Sequence, residues 1–274
     1  MIKVESLTKY YGDIVAVDNI SFEIPQGQIV GFLGPNGAGK TTTMRILTGY
    51  LSATSGNATI CGYSVSENPQ EVQKRVGYLP EMNPLYEDIT PTEYLEFVGS
   101  VRNFSYREIQ NRIKEIVALC GLKDVLNQNI GELSRGYRQR VGFASAIFHN
   151  PDVLILDEPT SGLDPNQARE VRELIKELKK DKTVILSTHI LSEVQAICDR
   201  VIIINRGKIV VDGTTSELQD MAKGKEKIYL EVKSKDEPLA IEEKLKGLPY
   251  CESVLFKEQK DNIKIFEIES GIDL

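Results

Sequence analysis

No stretch of this 274-residue chain approaches the roughly 20 consecutive apolar residues that span a bilayer. No membrane-spanning helix is therefore expected, and the opening Met1-Ile2-Lys3-Val4-Glu5-Ser6 lacks the apolar core of a signal peptide. Cysteine is scarce and scattered. Cys61, Cys120, Cys198 and Cys251 form no close-spaced metal or redox motif, so reduced thiols in the cytosol are expected. Basic residues do not dominate either. The net charge is −7 and the sequence pI about 5.2, which speaks against a general nucleic-acid binder. Sustained heptads are lacking, so no long coiled-coil arm is expected. Hydrophobic residues make up 41% of the chain, as in ordinary globular proteins, and the length suits one α/β domain with a small appendage.

Against this background two local patterns stand out. Ile29-Val30-Gly31-Phe32-Leu33 is a short apolar run of the kind that forms a buried parallel strand. Gly34-Pro35-Asn36-Gly37-Ala38-Gly39-Lys40-Thr41 follows at once and fits G-x-x-x-x-G-K-[ST], the phosphate-binding loop. Its glycines let successive N–H groups turn inward around an anion. The helix expected over Thr41–Leu47 adds its positive end to the same point. Lys40 would reach the β- and γ-phosphates of a nucleotide, and the Thr41 hydroxyl would ligate Mg²⁺. A chance glycine-rich turn is the competing reading; the strand before and the helix after speak against it.

The second pattern is Asp152-Val153-Leu154-Ile155-Leu156-Asp157-Glu158-Pro159-Thr160, an apolar strand ending in two carboxylates. Acids at the carboxyl end of a buried strand meet ligands at the sheet crevice. Asp157 is the expected magnesium-side acid, acting directly or through water, and Glu158 the expected base that polarises the attacking water. The pair could instead cap the next helix, but Pro159 biases Glu158 away from helical geometry.

Residues 1–60 read as strands and turns. From Pro84 to Asn150 the apolar spacing becomes helical, notably Tyr94–Val98 and Ile109–Cys120. From Pro151 strands and helices alternate over Val153–Leu156, Ala168–Lys179, Thr183–Leu186, Leu191–Cys198 and Val201–Ile204, which predicts a parallel, helix-covered sheet. Ala222 to Lys227 reads as a charged linker. Beyond it come a strand at Ile228–Val232, a helix at Pro238–Leu248 and strands at Val254–Phe256 and Ile263–Ile268. That β-α-β-β order opens a ferredoxin-like unit, and the chain stops before its second half, so a shortened or reduced accessory domain is expected.

Leu133-Ser134-Arg135-Gly136-Tyr137-Arg138-Gln139-Arg140 resembles the signature segment of ABC-type ATPases. The order of phosphate loop, signature, acidic strand, Ser161-Gly162-Leu163-Asp164 and Ser187-Thr188-His189 resembles an ABC transporter nucleotide-binding subunit over nearly all of residues 1 to about 220. The wording Gly77-Tyr78-Leu79-Pro80-Glu81 with Asn83-Pro84-Leu85-Tyr86 looks like the ATP-binding subunits of ABC-2-type exporters, most similar to the gliding-motility-type branch. The resemblance implies a P-loop α/β core over 1–222 with a helical subdomain at about 84–150, and a small α+β appendage over 223–274.

It also implies roles. Tyr11 would stack on adenine, with Tyr10 adjacent and, on a strand, facing the other way. Pro35, Asn36, Ala38 and Thr42 would join the glycines, Lys40 and Thr41 around ATP. Ser134 and Gly136 would close on the nucleotide of a second subunit, Asp164 would sit between subunits, and His189 would sense the γ-phosphate. Glu81, with Thr41 and Asp157, would face Mg²⁺. His149, without such context, reads as a loop residue. Glu81 stands where most members have Gln, and ionised Glu is acceptor-only, so its contact is left open. Arg135 and Tyr137 replace the usual Gly and Gln; Arg135 suits a phosphate, a permease loop or plain solvent. The expected partners are an integral membrane permease and a second ATPase subunit, identical or related, with no nucleic acid. The expected place is the inner face of the cell membrane. A soluble ABC-type ATPase acting on ribosomes or DNA is the alternative, although a single cassette without coiled-coil insertions disfavours it. A GTPase lacks support because no Asn-Lys-x-Asp segment is present.

Overall fold

The computed structural model describes residues 1–179, 181–222, 226–234, 236–248, 251–260 and 263–270, which fall into two units, Met1–Thr215 and Ser216–Leu274. In the first unit, strands β1 (Ile2–Tyr11), β2 (Ile14–Ile24), β4 (Ser55–Ile60) and β5 (Tyr63–Ser64) form an antiparallel sheet in the order β2-β1-β4-β5. Burial alternates along much of β1 and β2, as in a sheet with one face on the core. The second sheet holds β3 (Ile29–Leu33), β6 (Val76–Leu79), β7 (Val153–Asp157), β8 (Thr183–Thr188), β9 (Arg200–Asn205) and β10 (Lys208–Thr214) in the order β10-β9-β3-β8-β7-β6. β3, β7 and β8 are buried almost throughout, which fits the apolar runs Ile29–Leu33, Val153–Leu156 and Val184–Leu186 at their centres. The expected parallel sheet is there, with one difference: β10 runs antiparallel to β9 at the edge, joined to it by a tight turn.

Register sets the position of the site. Leu33 pairs with Thr188, and Asp157 with Ser187. The carboxyl ends of β3, β7 and β8 therefore stop level, and the segments leaving them, from Gly34, Glu158 and His189, emerge at one crevice. α1 (Lys40–Leu47) and α2 (Pro69–Arg75) lie between the sheet strands in sequence. The helical stretch contains α3 (Pro91–Val101), α4 (Tyr106–Cys120) and α5 (Arg135–Ile147). Thr90 with Glu93, and Ser105 with Glu108, form capping boxes that start α3 and α4, and Gly121 in the left-handed region ends α4.

α5 lies directly on β6. A Cβ at Gly77 would collide with the Ala146 carbonyl, and one at Gly142 with the Asn83 amide. The Asn83 Nδ2 donates to the Arg138 carbonyl at 3.2 Å. α6 (Pro165–Leu178) buries Ala168, Val171, Leu174, Ile175 and Leu178, one apolar stripe at helical spacing. α7 (Leu191–Ile197) packs against β3, where Val194 and Cys198 fill the space beside Gly31. Cys120 and Cys198 are buried thiols, and burial pushes both up to about 12.

The second unit begins within α8 (Thr215–Ala222) and continues through β11 (Glu226–Lys233), α9 (Pro238–Lys246), β12 (Cys251–Lys260) and β13 (Ile263–Ser270). Ala222, Glu226 and Lys227 of the expected linker belong to elements, and the rest of it, 223–225, lies outside the described residues. The sheet order is β11-β13-β12, with β13 antiparallel to both neighbours. β11 and β12 are thus parallel with β13 inserted between them, which is the split β-α-β of a ferredoxin-like opening. Ile241 of α9 packs with Val254, Phe266 and Ile268 of the sheet.

Candidate functional site

The loop Gly34–Gly39 runs from β3 to α1 and depends on backbone that side chains resist. Gly37 and Gly39 have φ of 77° and 108°, values that cost a residue with a Cβ. Lys40, only 6% exposed, folds back over the loop. Its Nζ donates to the Gly34 carbonyl at 2.7 Å and the Pro35 carbonyl at 3.3 Å, and lies 3.3 Å from Glu158 Oε1. Across the crevice, the Thr41 hydroxyl donates to Asp157 Oδ1 at 3.2 Å, and the Ser187 hydroxyl reaches the same oxygen at 2.5 Å. Asp157 Oδ2 is buried without a protein partner. A bare carboxylate oxygen in that place is costly unless a ligand meets it. Burial, and then the nearby Asp157 charge, pushes the Tyr78 hydroxyl up to about 12.

Glu158 has φ of 48°, a left-handed backbone that is uncommon for a residue of this kind. Its N–H donates to the Ser187 carbonyl at 3.2 Å and hydroxyl at 3.0 Å. The His189 Nδ1 lies 3.1 and 3.0 Å from its two carboxylate oxygens. The acid is buried while the imidazole is 46% exposed, so the pair reaches from the protein into solvent. Neither acid caps a helix; the cap falls to Asp164, which accepts from Asn166 N and Gln167 N at the start of α6.

A cleft of about 400 Å³ is lined by Ile14, Val15 and Ala16, the loop Asn36–Thr42, Glu81 and Glu158. The loop residues, Glu81 and Glu158 were legible as site residues, whereas Ile14 to Ala16 were not. Tyr11 is not in that lining. It is 46% exposed, pairs with Ile14 across the β1–β2 turn, and carries the Lys9 ammonium 5.4 Å from its ring centroid. Ser134 and Gly136 are elsewhere too. Ser134 Oγ caps α5 by accepting from Tyr137 N, and Gly136 backs onto the Gln167 side chain. Arg135 lies over Gly162, where a Cβ would strike its guanidinium. A larger cleft of about 730 Å³ between the end of α4 and α6 contains none of the phosphate-loop residues, Glu81 or Glu158.

His149 is a turn residue, as expected, but its ring is packed inward. Its Nε2 lies 3.1 Å from the Val76 carbonyl, and burial, then the Arg102 charge, pushes the imidazole from its ordinary 6.5 down to about 3. The unfolded chain therefore takes up a proton as pH falls through 6.5, while the folded chain does not. His149 thus supports the fold fully above that pH and costs stability below it, by at most about 1.4 kcal/mol per pH unit, less where water reaches the ring. In denaturant titrations at about pH 7 and about pH 5, His149→Gln should lose less stability between the two than the wild type.

A strand, a glycine loop with a buried lysine, a hydroxyl at the head of a helix and a carboxylate at the end of an adjacent strand define a P-loop nucleoside triphosphatase. The family model of the ABC transporter matches residues 17–161. The chain is 38% identical to the ABC transporter ATP-binding protein YxlF of Bacillus subtilis, covering 100% of this chain and 90% of that protein. It is also 38% identical to the bacitracin transport ATP-binding protein BcrA of Bacillus licheniformis, over 88% and 77% respectively. Among solved structures, the dimeric ATP-binding cassette MJ0796, in a post-hydrolysis state with ADP and Pi, matches with a TM-score of 0.71 at 26% identity, covering 78% and 99%. The chain belongs to the ABC transporter family, as an ATP-binding subunit that couples ATP hydrolysis to transport.

Proposed function

We propose that this chain is the ATPase of an ABC-2-type exporter, closest in wording to the gliding-motility-type branch, acting in pairs on a membrane permease at the inner face of the cell membrane. Residues 1–222 serve as the nucleotide-binding domain, about 84–150 as its helical subdomain and 223–274 as an accessory domain. The observation that carries the paired reading is a separation. The cleft holds the phosphate loop, Glu81 and Glu158, yet Ser134 and Gly136 do not line it. A signature segment that cannot serve its own cleft is suited to serve another's. A twofold pair brings each α5 N-terminus, with its free N–H groups, to the opposite triphosphate.

In this mechanism the loop amides and Lys40 hold the β- and γ-phosphates, and Tyr11 meets the base beside the cleft mouth. Thr41 and Asp157 suit Mg²⁺: they offer hard oxygens, and the unpartnered Asp157 Oδ2 is a ready acceptor. No cluster of three or more His, Cys, Asp or Glu that would hold a metal unaided occurs among the described residues, which fits an ion that depends on substrate oxygens and water for its remaining ligands. Bound there, Mg²⁺ would offset charge on the phosphates. Glu81 faces the same cleft. Glu158 takes the proton of the attacking water, and His189, hydrogen-bonded to Glu158, reaches toward the γ-phosphate. Losing that phosphate removes the anion gripped by both subunits, and the pair opens. Asp164 sits in the segment that links the two sites.

Among the described residues no helix is long and apolar enough to cross a membrane, so transport requires a partner that does. Exposed apolar side chains favour one. Tyr50 and Val101, 76% and 64% exposed, line a cleft of about 450 Å³, and Tyr86 and Phe97 lie nearby in sequence with ring centroids 5.5 Å apart. Affinity purification from native membranes should bring down a polytopic membrane protein together with ATPase activity, and Tyr50→Glu with Val101→Glu should lose it. Recovery with ribosomes or DNA instead would overturn the export reading in favour of a soluble ABC-type ATPase.

A further inference from the structure

Glu193, in the first turn of α7, is 8% exposed, and among the described residues no cation lies within ion-pair distance of it. A buried carboxylate held only by neutral groups is costly, so its donors matter. Oε1 accepts the Thr160 hydroxyl at 2.5 Å and Oε2 accepts the Thr188 hydroxyl at 2.7 Å. The Thr188 oxygen in turn accepts the Ile190 N–H at 3.1 Å. Thr160 follows Glu158 by two residues, and Thr188 immediately precedes His189. One side chain thus ties together the segments that carry the two groups facing the γ-phosphate.

The tie holds a conformation that would not hold itself. The left-handed backbone of Glu158 persists only where its surroundings over-determine it. On the entry side its N–H is bound to Ser187. On the exit side, the Gln139 amide donates to the Pro159 carbonyl at 2.9 Å, and the Thr160 hydroxyl is held by Glu193. We propose that Glu193 is a positioning residue for hydrolysis. By clamping Thr160 to Thr188 it keeps Glu158 and His189 at the separation at which they act together. This rests on the reading that Glu158 is the base and His189 its partner at the γ-phosphate.

A residue that acts through others should change turnover rather than binding, and should add nothing once its targets are gone. Glu193→Ala should keep affinity for trinitrophenyl-ATP within about twofold and lower kcat by about tenfold or more, with Glu193→Gln between it and wild type. Added to His189→Ala, Glu193→Ala should cause no further loss, because the two act as a unit. A folded Glu193→Ala with wild-type kcat, a change in KM alone, or losses that multiply with His189→Ala would each overturn the proposal. Should Glu193→Ala give no cooperative melting transition, Thr160→Val, which removes a single hydroxyl, takes its place. It should lower kcat by about threefold or more at unchanged affinity, and unchanged kcat would overturn the clamp. Glu158→Gln is run alongside. If it turns over normally, the assignment of the base has failed and the clamp with it; if it is dead while Glu193→Ala and Thr160→Val are normal, only the clamp has failed.

Discussion

Glu158→Gln is expected to bind ATP and nearly stop hydrolysing it, with kcat falling by about 10²–10⁴-fold, the usual contribution of a positioned general base. The amide keeps the shape of the side chain and can still meet His189 Nδ1, which lies 3.0 Å from the carboxylate, but it cannot accept a proton from water. Binding should survive because the loop amides and Lys40 are untouched. The variant should therefore stall in the paired, nucleotide-loaded state, visible as an ATP-dependent dimer in size-exclusion chromatography. Wild-type turnover in this variant would remove Glu158 from the reaction.

Ser134→Arg tests the other half of the proposed composite site. Ser134 caps α5, and losing a cap costs only about 1 kcal/mol, so a folded subunit is expected. The larger effect is a bulky cation at the helix N-terminus meant to meet a partner's γ-phosphate. The variant should bind ATP as a monomer yet fail to hydrolyse it. Lys40→Ala should be inactive for a different reason, since its own cleft no longer grips a triphosphate. Mixed, the two should regain activity that neither has alone. One site of the hybrid then combines an intact phosphate loop from the Ser134→Arg subunit with an intact signature from the Lys40→Ala subunit. No recovery on mixing, or full hydrolysis by Ser134→Arg alone, would show that each chain works by itself.

What could be read from the amino acids was what lies close together in the chain. The phosphate loop needs glycines, a lysine and a threonine at fixed spacing, and the strand before it needs only to be apolar. Those features survive as plain text, as do the acid pair at the end of β7 and the β-α-β-β order of the appendage. What could not be read depends on register between distant strands. Ser187 meets Asp157 because β7 and β8 align at those positions, and nothing local in Thr183–Thr188 announces it. Ile14 to Ala16 join the cleft only because the β1–β2 turn folds over the loop. Glu193 sits in a helix whose apolar pattern is unremarkable, and its importance lies in two hydroxyls that precede it by 33 and 5 positions. The strands β12 and β13 ran longer than their apolar cores because charged residues such as Glu258 continue the pairing beyond an irregularity after Phe256.

The bare glycine contacts between α5 and β6 have a mechanical corollary. At Gly77 the strand backbone meets the Ala146 carbonyl, and at Gly142 the helix backbone meets the Asn83 side chain, itself bonded to the Arg138 carbonyl, so the helix and the segment that carries Glu81 are in close contact. A shift of that segment would press on the helix at both points. A group arriving beside Glu81 would then bear on the same helix whose N-terminus Ser134 caps, the end proposed to meet a neighbouring molecule.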